Sequence, residues 1–467
     1  MKAVVAAVLF IFSTSLLAAG NGVKVPPFGR VQLSNGAVVL LMERHDVPLI
    51  TFSAVLRGGA VSDPATESGL ASLLVGLLQK GAGSRDAVGF AETVASVGGQ
   101  IETAASTESI AVSGSFLARD QQLMVDLLAD MLQRPRLELD QFDTLRARQI
   151  EFIRAAKESD LAALAPIYGE ASLFGTHPYG RTVEGSEASL GAIKHADLQR
   201  YYQEQVGADR LILAVAGDFK TAQLKQRISR AFSGWRKASA PLPQIPKAQS
   251  VTSRRVLLID APESVQSYFW AGNVAVAKSD PRRAALDVTN TLFGGRFTSM
   301  LNSELRIRTG LSYSASSHFD RLLQPGHWAL ASFTQTETTI QALDLALATL
   351  DQLHQSGLDA TLLESGKSYV QGQYPLALET AGQWASQLAT LEFYGLDRSY
   401  IDNYSAALAG VSGADAKRVI DEVFPSSSAL AIVVVGNAGA LRDGLRKYGP
   451  VTEMKLTDPS FAPVRTE

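Results

Sequence analysis

The segment Glu67-Ser-Gly-Leu-Ala-Ser-Leu-Leu-Val-Gly-Leu-Leu-Gln-Lys-Gly81 decides the fold of the first half of the chain. Its residues are mostly apolar from Gly69 onward and become polar at the end, which predicts a buried helix over 69–80. Ser72 and Gly76 are small residues at positions i and i+4, so they share one helix face. We expect a second element to pack closely against that face.

The sequence around this helix predicts strands joined by hairpins and followed by helices. Asn35-Gly36 lies between two apolar runs, as in a two-residue hairpin. Strands are predicted at 49–56 and 107–117, and helices at 90–97 and 119–132. This order favours an α+β sandwich, an antiparallel sheet with helices, over a doubly wound parallel sheet.

The second half of the chain repeats this mixture. It predicts a strand at 256–259, a helix at 281–292, strands around Tyr313 and Trp328, and a helix at 339–355. Both halves end with a helix, an apolar strand and a glycine, at 194–217 and at 413–436. Ala196-Asp197 matches Ala414-Asp415, and Gly217 matches Gly436. This order favours two homologous domains, against a coincidence of common strand patterns.

The segment Lys237-Ala-Ser-Ala-Pro-Leu-Pro-Gln-Ile-Pro-Lys247 predicts an extended spacer, because it has three prolines within six residues. It divides the chain into an N-terminal domain (21–236), a linker (237–254) and a C-terminal domain (255–467). The alternative is a surface loop within one domain.

Composition excludes several functions. The 467 residues are 46% hydrophobic and 19% charged, with a formal net charge of -3 and no basic run that would bind nucleic acid. There is no cysteine, which excludes disulfides, thiolate metal sites and cysteine nucleophiles.

Residues 1–20 resemble a secretory signal peptide: Met1-Lys2, an apolar run over 3–12 and small residues ending in Ala18-Ala19-Gly20. The alternative is a membrane anchor, for which the apolar run is short. A signal peptide on a chain without cysteine predicts a bacterial periplasmic protein.

Other catalytic motifs are absent from the sequence. No two of its six histidines lie three to five residues apart, so no helix presents a histidine pair. There is no G-x-S-x-G nucleophile motif. His177 is interpreted as a structural turn residue. Gly294-Gly295 is interpreted as a close-packed or turn backbone, with a flexible substrate-contact loop as the alternative.

Several local motifs, in order along the chain, resemble the pitrilysin/insulinase family of zinc metallopeptidases, which includes mitochondrial processing peptidase. The motifs are Leu33-Ser-Asn-Gly36, Arg57-Gly-Gly-Ala-Val-Ser-Asp63, Gly69-Leu-Ala71, His177-Pro-Tyr-Gly-Arg181 with Gly185, and the segment from Phe293-Gly-Gly295 through Leu305-Arg306 to Gly310-Leu-Ser-Tyr313. The resemblance covers almost the whole predicted mature chain. It implies two-domain halves of α+β type that close like a clam around an unfolded peptide.

In that family the Gly-Leu-Ala lead-in runs into H-x-x-E-H, whose histidines hold zinc while the glutamate acts as general base. Here the same positions are Ser72, Val75 and Gly76, which supply neither an imidazole nor a base. Glu151 lies near the expected position of a remote third ligand, but one carboxylate is not a zinc site. We therefore expect no metal or other cofactor in this chain.

The resemblance also implies an arginine and a tyrosine that hold the substrate backbone near the scissile carbonyl, and Arg306 and Tyr313 match them. The alternative is a surface helix cation and a half-buried strand aromatic. In several relatives a zinc subunit works with a degenerate partner. The leading hypothesis is thus a non-catalytic subunit of a periplasmic zinc peptidase. Its rivals are a peptide-binding or structural homodimer and an independent hydrolase that uses unrelated residues.

Overall fold

The computed structural model describes residues 22–463, which form two six-stranded sheets and a set of covering helices. The α+β class predicted from the sequence is confirmed. The predicted signal peptide, residues 1–20, lies outside the described residues. Among residues 22–463, no helix combines the length and the apolar character that crossing a bilayer requires.

The first half contributes one six-stranded sheet and a short two-stranded ribbon. Its strands are β1 (Gly29–Gln32), β2 (Val38–Glu43), β3 (Leu49–Arg57), β4 (Gly81–Ala82), β5 (Arg85–Asp86), β6 (Gln100–Ala105), β7 (Ser109–Leu117) and β8 (Leu211–Gly217). Its helices are α1 (Leu70–Leu78), α2 (Ala87–Ser96), α3 (Gln121–Gln133), α4 (Leu139–Ser159), α5 (Leu161–Phe174), α6 (Glu187–Ala192), α7 (His195–Gln205) and α8 (Thr221–Phe232). The predicted hairpin, strands and helices of this half lie within about three residues of these bounds, as is usual for element ends.

The second half contributes the other six-stranded sheet. Its strands are β9 (Arg255–Asp260), β10 (Gln266–Val274), β11 (Ala315–Asp320), β12 (His327–Gln335), β13 (Ala431–Gly436) and β14 (Val451–Lys455). Its helices are α9 (Arg283–Asn290), α10 (Met300–Asn302), α11 (Thr339–Ser356), α12 (Ala360–Gln373), α13 (Ala381–Tyr394), α14 (Ser399–Asp402), α15 (Tyr404–Ala409), α16 (Gly413–Glu422) and α17 (Ala438–Leu445).

The two sheets share one topology. The strand order is β1-β2-β8-β3-β7-β6 in the first sheet and β14-β9-β13-β10-β12-β11 in the second. In each sheet one parallel pair, β2 with β8 or β9 with β13, is followed by antiparallel neighbours. Only the outermost strand differs, because β1 runs antiparallel to β2 whereas β14 runs parallel to β9. The duplication inferred from the sequence is therefore confirmed.

The repeated Ala-Asp dipeptides have one structural role. Asp197 in α7 accepts a hydrogen bond from the backbone N–H of Lys194 at 2.9 Å, and Asp415 in α16 accepts one from Ser412 at 3.1 Å. The Lys194 N–H lowers the pKa of Asp197, and the Ser412 hydroxyl together with the Ser412 N–H lowers that of Asp415, because these bonds favour the charged carboxylate. The matching residues thus start equivalent helices.

Each sheet is covered on one face by a helix from the other half of the chain. Helix α5 packs against β10 and β13 of the second sheet, whereas α13 packs against β3 and β8 of the first. Gly169 allows the close approach of α5, because a Cβ at this residue would lie 2.4 Å from the Trp270 ring. On α13, Trp384 and Leu388 are buried in a core cluster with strand residues of the first half. The two halves are thus interlocked by exchanged helices.

Candidate functional site

Helix α1 begins at a buried carboxylate. Asp63 accepts hydrogen bonds from the backbone N–H groups of Gly69 at 2.8 Å and Ala71 at 3.1 Å. Gly69 enters the helix with φ +105°, a conformation that favours glycine. Burial raises the pKa of Asp63 to about 7 even though these hydrogen bonds favour the charged form. The loop that ends at Asp63 therefore fixes the start of α1.

The His177–Arg181 motif supports the same helix start. Arg181 donates to the backbone carbonyls of Val61 at 2.9 Å and Asp63 at 2.7 Å. His177 caps its own turn, because its Nδ1 accepts from the Tyr179 N–H at 3.1 Å, and its Nε2 lies 2.9 Å from the carbonyl oxygen of Pro246. His177 is thus a structural turn residue, as interpreted from the sequence.

Side chains of α4 pack against the positions of α1 where the family has its zinc motif. Ser72 accepts a hydrogen bond from Gln149 Nε2 at 3.1 Å, and a Cβ at Gly76 would lie 3.4 Å from Leu145. Val75 is buried, and its carbonyl accepts from Thr103 Oγ1 at 2.8 Å. The close packing predicted for the small residues of α1 is therefore found, with α4 as the packing partner.

Glu151 does not face this position. Its side chain is 67% exposed and pairs with Arg154 on the same helix at 2.6 Å. The α4 residue that contacts Ser72 is Gln149, whose amide also donates to the carbonyl oxygen of Glu184. Ser72, Gln149 and Val75 supply a hydroxyl, an amide and an alkyl group, and none of these is an imidazole or carboxylate ligand of the kind that binds zinc. In the part of the chain that the structure describes, no group of three or more such ligands could hold a metal ion.

The second-half motif forms a compact turn-rich segment. Gly294 lies in a π-helical turn, Thr291–Gly295, and a Cβ there would lie 2.5 Å from the backbone nitrogen of Ser317 on β11. The close-packed role interpreted for this glycine is therefore confirmed. A second π-helical turn, Ser303–Arg308, carries Arg306. Such turns are rare and are often found at functional sites.

Arg306 and Tyr313 lie together. The guanidinium carbon of Arg306 is 4.3 Å from the Tyr313 ring centroid and 4.8 Å from that of Phe297, so it contacts both rings. The nearby carboxylate of Glu304 pairs instead with Arg308 at 2.6 Å. Within residues 22–463, no ion pair to Arg306 is formed. Its charge is thus available to a bound group.

Tyr313 is 71% exposed and lies two residues before β11, the strand predicted around it, so the alternative of a half-buried strand aromatic is wrong. The neighbouring serines explain the turn. Ser312 Oγ accepts from the Ser314 N–H at 3.1 Å and donates to the Ser314 carbonyl at 2.7 Å, a local hydrogen bond that competes with strand pairing. Buried Ser332 donates to the same carbonyl at 2.8 Å. The phenol is therefore exposed on a fixed backbone.

A buried contact joins the halves near these motifs. Tyr179 donates to the carboxylate of Glu108, and both oxygens of Glu108 accept from the Leu323 N–H, at 3.1 and 3.0 Å. The Gln324 N–H donates to the Tyr179 hydroxyl at 2.9 Å. Burial raises the pKa of Glu108. The His177–Arg181 motif thus also ties the first half to the second.

Two family models match the chain. The model described as Insulinase (Peptidase family M16) matches residues 38–186, and the model described as Peptidase M16 inactive domain matches residues 192–370. Together with the duplicated fold, these matches show that the chain belongs to the insulinase, or M16, family of zinc metallopeptidases. It is a degenerate member, because Ser72, Val75 and Gly76 replace the H-x-x-E-H residues.

Individual relatives span almost the whole chain. An uncharacterized zinc protease of Streptomyces coelicolor is 25% identical over 89% of this chain and 90% of its own length. A Helicobacter pylori protein named non-peptidase homolog YmxG is 24% identical over 83% of this chain and 89% of its own length. A crystal structure described as a peptidase M16 inactive domain from Pseudomonas fluorescens shares the fold, with a TM-score of 0.82 and 20% identity over 88% of this chain and 98% of its own.

Sequence reasoning missed the residues that support the site. Leu145 and Gln149 repeat the four-residue spacing of Ser72 and Gly76, and this spacing was the available signal for helix-on-helix packing. The contribution of Phe297 had no such signal, because it lies nine residues before Arg306 in a loop whose path depends on tertiary contacts.

Proposed function

We propose that this chain is the non-catalytic subunit of a periplasmic zinc metallopeptidase. It pairs with a homologous subunit that carries H-x-x-E-H and the zinc ion. Its own contribution is Arg306 and Tyr313, which bind an unfolded peptide and stabilise the scissile carbonyl in the shared cleft.

One contrast carries this proposal: α4 fills the metal-binding position, whereas the Arg306–Tyr313 pair is retained. Ser72 is hydrogen-bonded to Gln149, so α1 serves as scaffold. Arg306, by contrast, has no carboxylate partner among the described residues, and Tyr313 is 71% exposed. An unpaired, partly exposed cation beside an exposed phenol has no stabilising role comparable to that of a buried pair. Such a pair is suited to donate hydrogen bonds to an acceptor group of a bound ligand.

The chemistry of the pair fits a carbonyl oxygen that gains negative charge. The guanidinium of Arg306 stays charged and presents several N–H donors, and the Tyr313 hydroxyl adds another donor. Donors placed at a developing oxyanion stabilise the transition state more than the ground state, and loss of one such donor typically lowers the rate by roughly a hundredfold or more. The zinc ion of the partner would activate the attacking water.

The leader-like pattern over residues 1–20 and the lack of cysteine support a periplasmic location. The proposed organisation is an N-terminal domain over 21–236, a linker over 237–254 and a C-terminal domain over 255–467. The linker contains neither helix nor strand, which supports its assignment as a spacer.

The test is peptide cleavage by three samples: the purified chain, a homologue that carries H-x-x-E-H from the same source, and their mixture. The proposal expects activity that appears or rises strongly only in the mixture. In the mixture, Arg306→Ala and Tyr313→Phe should each lower kcat/KM by roughly a hundredfold. Unchanged rates with both variants would contradict the proposed role of the pair.

The rival function is a peptide-binding or structural homodimer with no hydrolytic role. The name of the Helicobacter pylori relative, a non-peptidase homolog, supports keeping it as the second candidate. It expects the pure chain to form dimers and bind unfolded peptide, with no effect on turnover by any zinc-bearing homologue. Binding that persists unchanged when this homologue is added would favour it.

A further inference from the structure

The Arg306 guanidinium contacts two aromatic side chains. Its guanidinium carbon lies 4.8 Å from the Phe297 ring centroid and 4.3 Å from the Tyr313 ring centroid. Both rings are exposed, Phe297 at 60% and Tyr313 at 71%. Partly exposed arginines can sample several rotamers, and the two aromatic rings restrict this one.

This arrangement leaves N–H donors of the guanidinium available for hydrogen bonds to a ligand. A planar guanidinium in contact with aromatic rings still has N–H donors directed outward in its own plane. Those in-plane donors are the groups that would bind a carbonyl or carboxylate oxygen. The two rings therefore restrict Arg306 before any ligand arrives, which reduces the entropy lost on binding.

A buried asparagine connects the segments that carry the two rings. Asn302 is 4% exposed, and its Nδ2 donates to the carbonyl oxygen of Phe297 at 2.6 Å. Its Oδ1 accepts from the N–H of Ala315, two residues beyond Tyr313, at 3.3 Å. The loop of Phe297 and the turn of Tyr313 are thus tied to one side chain. This is the kind of supporting contact that keeps a functional group in place.

We infer that Phe297 is a positioning residue for Arg306, acting through its aromatic face and not through contact with the reacting bond. This inference rests on the proposed function, because it assigns the support of the same Arg306–Tyr313 pair. Phe297, with Asn302 behind it, restricts the conformations from which Arg306 meets the peptide.

The test compares Phe297→Met, Phe297→Tyr and Phe297→Ala in the full chain, assayed with the zinc-bearing homologue. Methionine keeps similar apolar bulk without a ring, whereas tyrosine keeps the ring. Loss of one cation–π contact near the surface should lower kcat/KM by about twofold to fivefold in the Met and Ala variants. The Tyr variant should stay within about 1.5-fold of the unmodified chain. Phe152→Met is the matched control, because Phe152 is 70% exposed on α4 and remote from Arg306 in sequence.

Two further readouts separate positioning from a general structural effect. In the Arg306→Ala background, Phe297→Met should cause no further loss, because coupled residues are not additive. In the isolated chain, the Arg306 Nε–H resonance, assigned with Arg306→Lys, should shift when Met removes the ring and should be restored by Tyr. Denaturation midpoints of all variants should match the unmodified chain, since Phe297 is exposed.

The failures are distinguishable. If Arg306→Ala leaves the mixture fully active, the proposed function itself is contradicted. If Arg306→Ala is damaging while Phe297→Met and Phe297→Ala retain full activity, the function stands and the positioning role is overturned. Loss of activity in Phe297→Tyr equal to that in Phe297→Met would also overturn it, because the aromatic face would then be irrelevant.

Discussion

At the scale of single residues, Gln149 and Leu145 explain why restoring the zinc motif would not by itself restore a zinc site. Leu145 lies over Gly76, and Gln149 occupies the place beside Ser72 that a ligand from α4 would need. Catalytic zinc sites use three protein ligands, and Glu151 is directed toward Arg154 instead.

We predict that the triple variant Ser72→His, Val75→Glu, Gly76→His retains little zinc after dialysis. Addition of Gln149→Glu and Leu145→Ala should raise zinc retention, because it supplies a third ligand and room for the second imidazole. Zinc content per chain by elemental analysis measures this. Adding Glu151→Gln to the five-residue variant is the control. A loss of zinc in that control would mean that Glu151, and not position 149, provides the ligand.

His327 makes a separate residue-scale prediction. It is buried among Trp270, Phe174 and His318, with Glu170 Oε1 4.0 Å from its Nε2. Burial lowers its pKa to about 3. Below about pH 6.5 the imidazole of His327 is therefore protonated in the unfolded chain but stays neutral in the folded chain. The free energy of unfolding consequently falls as the pH decreases.

His327→Phe should remove this contribution, so that its denaturation midpoint falls less between pH 7.5 and pH 5 than that of the unmodified chain. The control is His45→Gln, because the exposed His45 has a raised pKa through Asp218 and its loss cannot reduce acid sensitivity. Equal acid sensitivity in His327→Phe and the unmodified chain would contradict the assignment.

At the scale of elements, the start of α1 depends on Asp63. Its folded pKa of about 7 lies above the ordinary value of 3.8, so the folded chain holds a proton that the unfolded chain has lost. The contribution of Asp63 to stability is thus full below pH 4 and is lost as the pH rises through about 7.

Asp63→Asn should lower the free energy of unfolding at pH 5 by about 0.5–2 kcal/mol, because one capping acceptor is replaced by an amide donor. Its stability should also fall less from pH 5 to pH 8 than that of the unmodified chain. Denaturant titrations at both pH values measure this. Asp86→Asn, which alters the exposed cap of α2, is the control for a cap substitution elsewhere in the chain. If the free energy of unfolding changes by the same amount between pH 5 and pH 8 in both variants, Asp63 is not a buried, protonated group.

The elements predicted from sequence, such as α1 and β3, could be found because apolar periodicity and glycine positions report local burial, whereas α4, α5 and α13 were not predicted. The strand predicted around Tyr313 begins only at Ala315, since Ser312 and Ser314 form local hydrogen bonds that a pattern of alternating residues does not reveal. Arg306 and Tyr313 were found only through the family resemblance. The contact of Arg306 with Phe297 depends on a turn fixed by Asn302, which no local pattern predicts.

At the scale of the whole molecule, the exchange of α5 and α13 makes the halves mutually dependent. The sequence shows that both helices are apolar, but an apolar face does not specify the partner against which it packs. The sheet that each helix covers could therefore not be predicted. Each sheet would expose a large apolar face without the other half. We therefore expect neither half to fold stably alone.

Trp384→Ala tests this interlocking, because Trp384 lies in the second half of the sequence and is buried with first-half strands. The substitution should cost about 3–5 kcal/mol and should increase hydrogen exchange mainly in β3 and β8 of the first sheet. Leu350→Ala, in the second-half core on α11, is the control and should affect the second sheet. Exchange that rises in the second sheet alone after Trp384→Ala would contradict the interlocked arrangement.

In the proposed complex this chain contributes Arg306 and Tyr313 to a cleft whose zinc ion is held by another subunit. The decisive measurement is the rate of peptide cleavage by a fixed amount of the H-x-x-E-H homologue as this chain is titrated into it. The rate should rise and saturate near one chain per homologue, and an Arg306→Ala titration should saturate at a rate roughly a hundredfold lower. Cleavage by the purified chain alone, with one zinc ion bound per chain, would contradict this proposal.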